Sequence, residues 1–296
     1  SVVCKRRSYP PRRLGRSLGV HIVGFAPLVC DIDDPDTKNC GIDKRMRRVV
    51  PPTSRKDRRQ FRSFIVNWLK RNLEPLRPEE LLSTEQWLKE TSYPAWRKKQ
   101  IMSAKYTERR FVNKLFGKRE FHMELKHLRL INSRTDWFKR ETGPFFKSIE
   151  NKLRVIPYFV KHLDTEQRAA ALLRLSSPGA KYICTDHTSF EAHMTSSVIR
   201  NCEMLLYRYM ASNLGGNTPI EMISQVLPAV QKCVGRDVSV RVEGRMSGDM
   251  CTSLGNGFTN LMIMLYLANK YGWTETRGLV EGDDAVWRVA GPIPTV

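Results

Sequence analysis

Three short stretches of this 296-residue chain carry side chains whose types and spacing suit chemistry on phosphate. The first is Asp186-His187-Thr188-Ser189-Phe190-Glu191, an acid after the apolar run Tyr182-Ile183-Cys184 with a second acid five residues on. The second runs from Arg245 to Asn256 and contains Ser247-Gly248-Asp249-Met250-Cys251-Thr252. The third is Gly282-Asp283-Asp284. Each has an ordinary structural reading, as a helix cap, a loop or a turn. Together they suit phosphoryl transfer to a nucleotide, which uses two divalent ions ~4 Å apart, one at the attacking hydroxyl and one on the triphosphate. Magnesium prefers carboxylates on rigid elements, and a strand-end Asp beside a hairpin-tip Asp supplies them. Ser247-Gly248 offers a small-residue approach to a sugar or backbone. Thr252 and Asn256, four residues apart, share a helix face, and the Asn256 amide can both donate to and accept from a ribose hydroxyl.

The elements that must position these residues are legible in outline. Tyr182-Ile183-Cys184 reads as a short buried strand ending at Asp186. A helix is expected from about Thr252 to Lys270, with Leu254, Phe258, Leu261, Met262 and Leu265 on its core face. Leu279-Val280 and Ala285-Val286-Trp287 flank Glu281-Gly282-Asp283-Asp284, so the carboxylates sit at a hairpin tip. Upstream, Val198 to Met210 reads as one amphipathic helix, Asn213 to Asn217 as a Gly/Asn turn, and Val238, Val240 and Val242 as a half-exposed strand. Earlier still, Phe61, Phe64, Ile65, Trp68 and Leu69 keep helical spacing behind a Thr53 or Ser54 cap. Ser83 and Gln86 make a capping box, and Pro94 opens a basic helix over 95–110. Residues 1–55, Pro/Arg-rich with acids at 31–36, read as irregular.

Composition narrows the function. The chain has 50 Lys and Arg against 30 Asp and Glu, a formal charge of +20. Residues 1–164 hold 38 of those bases and 18 of the acids; residues 165–296 hold twelve of each. The whole surplus lies in the first half and predicts a polyanionic partner, most simply nucleic acid. Over residues 95–154 aromatics such as Trp96, Tyr106, Trp137 and Phe138 interleave with the charges, as on a folded phosphate-facing surface. At 41% hydrophobic residues the chain can bury a core, which excludes a wholly disordered one. The longest apolar run, Leu261 to Ala268, is far short of the ~20 residues of a membrane-spanning helix. Seven scattered cysteines without a Cys-x-x-Cys pair fit a reducing, intracellular setting.

The order and spelling of the three stretches resemble the viral RNA-dependent RNA polymerases, and most nearly their plus-strand tombusvirus-like group. That group's second motif reads much like Ser-Gly-Asp-Met-x-Thr-x-Leu-Gly-Asn, which Ser247 to Asn256 matches at each fixed position. The resemblance implies that residues 186–191 are motif A, 245–260 motif B and 282–284 motif C. Lys126-His127-Leu128-Arg129-Leu130-Ile131-Asn132-Ser133-Arg134 looks like motif F, whose cations grip the incoming triphosphate. The fold implied by the resemblance is an α/β right-hand polymerase: fingers over residues 61–164, with motif F near 126–147 and a return near 212–245, on a palm over 165–296 with an antiparallel sheet. Residues 1–60 match nothing in the family. Twelve residues follow Asp284, so motifs D and E and the thumb are expected beyond this chain.

The implied reaction is template-directed transfer of a nucleotide from an NTP to an RNA 3′-hydroxyl, for viral genome replication and transcription. Asp186 and Asp283 would bind Mg²⁺ (Mn²⁺ substituting), with Asp284 supporting them. Glu191, Ser247, Gly248, Thr252 and Asn256 would read the ribose; Lys126, Arg129 and Arg134 would meet triphosphate or template. RNA template, nascent RNA, NTPs and other viral replication proteins are the implied partners, in membrane-associated replication complexes of the host cytoplasm. One departure stands out: the family usually has Asp where this chain has Glu191, a position linked to ribose selection. Two rivals remain open. A reverse transcriptase shares the palm logic but lacks the Ser-Gly…Thr…Asn helix, and a non-enzymatic basic RNA-binding protein explains the charge but not three acids at turn positions.

Overall fold

The computed structural model describes residues 28–47, 53–122, 126–185, 187, 189–216 and 218–292. It is a mixed α/β structure. Of residues 1–55, expected to be irregular, 1–27 and 48–52 lie outside the described residues, and the remainder departs from that expectation. After strand β1 (Leu28–Val29), Pro35–Arg45 forms helix α1, capped by Asp34, whose Oδ2 accepts from the Thr37 N–H at 2.8 Å. Pro35 suits the first turn because no intrahelical donor is needed there; the Asp-Pro-Asp spelling carried that signal.

Helix α2 (Arg55–Asn72) starts at a Ser54 cap and buries Ile65 and Leu69. Helix α3 (Thr84–Glu90) starts at the Ser83–Gln86 capping box. Helix α4 (Ala95–Met102) follows Pro94 but stops well short of residue 110. Beyond it the chain is drawn onto helix α5 (Asp136–Leu153). Arg140 Nη1 donates to the Ala104 carbonyl at 2.5 Å, and Tyr106 packs edge-on against Trp137 at 4.9 Å. These contacts replace a further helical turn. Between α4 and α5 lie strands β2 (Val112–Gly117), β3 (Phe121–His122) and β4 (Leu130–Ser133).

Helix α6 (Thr165–Leu175) leads to strand β5 (Lys181–Thr185) and the single-turn helix α7 (Phe190–His193). The amphipathic run after it is two helices, α8 (Ser196–Asn201) and α9 (Glu203–Ala211), broken at Cys202, whose φ is −127° and ψ −87°. The break begins α9 with Glu203, whose carboxylate turns into the core to meet Arg245 and Tyr207. Helix α10 (Ile220–Val226), strands β6 (Val230–Val234) and β7 (Ser239–Glu243), helix α11 (Thr252–Tyr271) and strands β8 (Glu275–Glu281) and β9 (Asp284–Ala290) complete the described elements.

Strand order β4-β2-β6-β7 makes one sheet, in which β2 and β6 are parallel and the other pairs antiparallel. Residues 230–243 thus return to a sheet begun by residues 112–133. A second, antiparallel sheet has the order β5-β9-β8. Its β5 is an edge strand with Tyr182 42% exposed, not the buried strand its apolar spelling predicts. Burial follows from neighbours: among the described residues β9 alone pairs with β5, while Trp287 of the central β9 is fully buried. The main core joins α2, α5, α9 and α11 to this second sheet through Leu69, Phe145, Tyr207, Phe258 and Trp287. A smaller core of Leu115, Leu130, Val240, Val242 and Met246 backs the four-stranded sheet.

Candidate active site

The tip of the second sheet is a two-residue turn, Gly282-Asp283, between the paired residues Glu281 and Asp284. Gly282 takes φ +65°, a left-handed conformation that glycine adopts without a Cβ penalty. The turn lies against α11, where a Cβ built on Gly257 would sit 3.5 Å from the Gly282 nitrogen. One turn further along α11, Asn260 Nδ2 donates to the Asp283 carbonyl at 2.8 Å and to Thr185 Oγ1 at 3.3 Å. Thr185 Oγ1 donates to the same carbonyl at 3.4 Å. Three elements therefore meet at one main-chain oxygen: the end of β5, the turn and the helix. Asp283 is half-exposed and Asp284 exposed. Outside the turn, Arg168 grips Glu281 at 2.5 and 3.2 Å. Asp186 lies outside the described residues; its neighbour Thr185 pairs in register with Ala285.

The segment from Arg245 to Asn256 is built by buried charge. Arg245 donates to Glu203, which also accepts from the Tyr207 hydroxyl at 2.9 Å, and both ion-pair partners are completely buried. Desolvation opposes the Arg245 charge, yet Glu203 holds the guanidinium's pKa well above its ordinary value. Burial pushes the neighbouring Cys251 thiol up to about 12. Gly255 is where α11 passes this cluster, and a Cβ there would collide with Glu203 Oε2 and Arg245 Nη2. The preceding loop leans on β4: the Ser247 carbonyl accepts from the Asn132 N–H at 2.6 Å. Gly248, at φ +113°, leaves only 2.9 Å between a built Cβ and Ile131. Thr252, half-buried, opens α11 and donates from Oγ1 to the Met246 carbonyl at 3.2 Å. Asn256 is 4% exposed, and its Oδ1 has no hydrogen-bond partner among the described residues. A buried acceptor without a donor is costly, and the Oδ1 atoms of Asn132 and Asn260 share that state.

Glu191, on α7, pairs with Arg45 at 3.4 Å and lines a small recess with Asn132, Ser247 and Arg245. Arg45 belongs to α1, the helix that the irregular reading missed. Lys126 is exposed. Arg129 is exposed and pairs with Glu120 at 3.3 Å. Burial opposes that charge, but Lys118 and Arg129 hold the Glu120 carboxyl below its usual range. Arg134 departs from a phosphate-facing role. It is 3% exposed, donates from Nη2 to Asp249 Oδ2 at 3.0 Å and from Nη1 to Gln231 Oε1 at 2.7 Å, and lies 5.2 Å over the Phe138 ring. A guanidinium so buried and so engaged does not face a triphosphate.

Asn260, Thr185 and Arg245 are the positioning residues that the sequence reading passed over. For Asn260 the signal was present, because Thr252, Asn256 and Asn260 recur every fourth residue as a polar stripe on an apolar helix. Asp283 and Asp284 offer hard oxygen donors on a rigid turn, the donor type that magnesium takes. Among the described residues no group of three or more His, Cys, Asp or Glu side chains could hold a metal ion, and Asp186 is not among them. A cavity of about 480 Å³ opens beside the turn, lined by Trp87, Tyr93, Lys147, Arg154, Met250 and Gly282. Among the described residues no helix is long and apolar enough to cross a membrane.

Residues 145–289 match the family model of the viral RNA-dependent RNA polymerases. The match spans Glu191, the Arg245–Asn256 segment, Asp283 and Asp284; Lys126, Arg129 and Arg134 precede it. It supports RNA-directed RNA synthesis in a virus by an RNA-dependent RNA polymerase, a nucleotidyltransferase. No curated protein matches the chain.

Proposed function

We propose that this chain carries the catalytic turn and nucleotide site of a plus-strand, tombusvirus-like viral polymerase. On this reading residues 186–191, 245–260 and 282–284 act as motifs A, B and C, and residues 126–134 as motif F. The observation that carries it is the convergence of Thr185, Asn260 and the Asp283 carbonyl, which fixes the carboxylate-bearing turn to the helix that begins at Thr252. The three-stranded sheet and its helices serve as palm, and the four-stranded sheet with residues 61–164 as fingers.

Asp283, with Asp186 and supported by Asp284, would hold divalent ions, Mg²⁺ or Mn²⁺, which when bound activate the 3′-hydroxyl and neutralise the triphosphate. The chain's own residues do the rest. Arg129 and Lys126 meet the triphosphate. Asn256 Oδ1 accepts from a ribose hydroxyl, and Ser247, Gly248 and Thr252 shape the sugar's approach. Glu191, anchored by Arg45, borders that approach from the far side of the Ser247 loop. Template, product and NTPs are the ligands, and viral replication proteins on host cytoplasmic membranes the setting.

The test is primer extension by the full-length protein on a defined RNA template. The complementary NTP alone should be incorporated, and only with Mg²⁺ or Mn²⁺ present. Sugar selection is read from kcat/KM for NTP against dNTP. Losing one buried hydrogen bond costs about 1–3 kcal/mol, so discrimination should fall in Glu191→Gln and persist in Glu191→Asp. Binding of RNA without templated incorporation would favour the RNA-binding reading, and a preference for dNTP the reverse transcriptase.

A further inference from the structure

Asp249 has no part in the chemistry above, yet it is 7% exposed and faces a guanidinium that is 3% exposed. We propose that Arg134 and Asp249 are positioning residues that set the separation between β4, which Arg129 leads into, and the Ser247–Gly248 loop, and so the span over which one NTP is held by its triphosphate and its sugar. The proposal rests on the polymerase reading, for it concerns that site's substrate.

The two segments are clasped at two points. The Asn132 N–H donates to the Ser247 carbonyl at 2.6 Å. Two residues further along each segment, the Arg134 guanidinium forks onto Asp249, from Nε to Oδ1 and from Nη2 to Oδ2 at 3.0 Å. Gly248 lies between the clasps, too close to Ile131 and Asn132 for a side chain. Arg134 Nη1 reaches Gln231 Oε1 at 2.7 Å, and Gln231 Nε2 donates to the Val226 carbonyl at 2.5 Å. The fork is thereby tied to β6 of the same sheet. A buried ion pair adds little net stability over apolar side chains of like volume, but a bidentate fork fixes orientation and register. Arg129 and Arg134 flank β4 at its two ends, so an error at the fork is passed along a hydrogen-bonded strand to the triphosphate contact.

The test is the triple substitution Arg134→Met, Gln231→Leu and Asp249→Leu in the full-length protein. It removes the fork and leaves no buried charge unpaired. The melting temperature should stay within about 3 °C of wild type, because apolar replacement of a buried pair is close to neutral. KM for NTP should rise ~10-fold with kcat changed less than ~3-fold, as expected when a ground-state contact is displaced. Hydrogen exchange at the Asn132 amide should quicken. A folded triple variant with unchanged KM overturns the proposal. If the triple variant fails to fold, Arg134→Lys keeps the buried cation without the fork; raised KM supports the proposal and unchanged KM overturns it. A wild-type protein that performs no templated incorporation removes the polymerase reading instead. Exchange at Asn132 then still decides the clasp, and equal rates in wild type and variant overturn it.

Discussion

At the edge of the four-stranded sheet the Ser247–Gly248 loop is fixed by charge: Arg134 on Asp249, and Arg245 on Glu203, all four buried. At the tip of the three-stranded sheet the Gly282-Asp283 turn is fixed by neutral groups, the Asn260 amide and the Thr185 hydroxyl, acting on a main-chain carbonyl. The difference shows how one fold assigns two jobs to the same residue types. A carboxylate that positions other groups is desolvated and answered by a fixed guanidinium. On the proposed reading, the carboxylate that takes a cation is carried in place through its backbone, and Asp283 stays half-exposed. The charge-fixed loop is vulnerable in stability, and the neutral-fixed turn in activity.

The sharpest break with that division comes from Asp283→Ala. Templated incorporation should fall by ~10³-fold or more, the scale of removing a preorganised electrostatic group. The melting temperature should move by less than about 2 °C, within the range of a surface substitution. Filter binding of RNA, run alongside, should be unchanged. A large loss of stability would mean that the turn carboxylate is structural.

Arg245→Met tests the opposite side. It leaves Glu203 buried beside Tyr207 without its cation, which costs about 3–5 kcal/mol. The measurement is the urea midpoint, and Glu203→Gln in the same background should recover part of the loss. A shift below ~1 kcal/mol would show that water reaches Glu203.

Asn260→Leu is smaller and mixed. It strips the Asp283 carbonyl and Thr185 of a shared donor, for about 1–3 kcal/mol of stability. Mn²⁺ affinity, read by titration, should weaken while RNA binding holds. Unchanged Mn²⁺ affinity would detach Asn260 from the carboxylates.

The smallest effect calibrates a partly exposed charge away from both sites. The Arg77 backbone N–H, then Lys152, lower the Glu80 carboxyl to about 2. Because the folded value is depressed, this stabilisation is present above the unfolded value of ~4.3 and is lost as pH falls through the folded one. Glu80→Gln should therefore lose under ~1 kcal/mol at neutral pH, and the gap to wild type should close as pH drops below about 4. Urea midpoints taken at pH 7 and at pH 3 check this.

The sequence alone determined the local parts. Caps at Ser54, Ser83 and Pro94, the alternation through Val240 and Val242, the hairpin around Gly282 and the helix from Thr252 all follow from neighbours within a few positions, and each formed. The spelling from Ser247 to Asn256 and the Gly-Asp-Asp pointed to the chemistry for the same reason: motif residues lie close in sequence. Tertiary structure decided the rest, because it depends on partners far away along the chain. Helix α4 ends at Met102 because α5 claims the next residues. Strand β5 is an edge because, among the described residues, only β9 reaches it. Arg134 reads as a phosphate ligand by its spelling and becomes a buried clasp because Asp249, 115 residues on, meets it. Desolvation made that choice. A guanidinium inside the fold must be answered by a carboxylate, and which carboxylate can reach it is a property of the packed sheet and loop, not of the residues beside it.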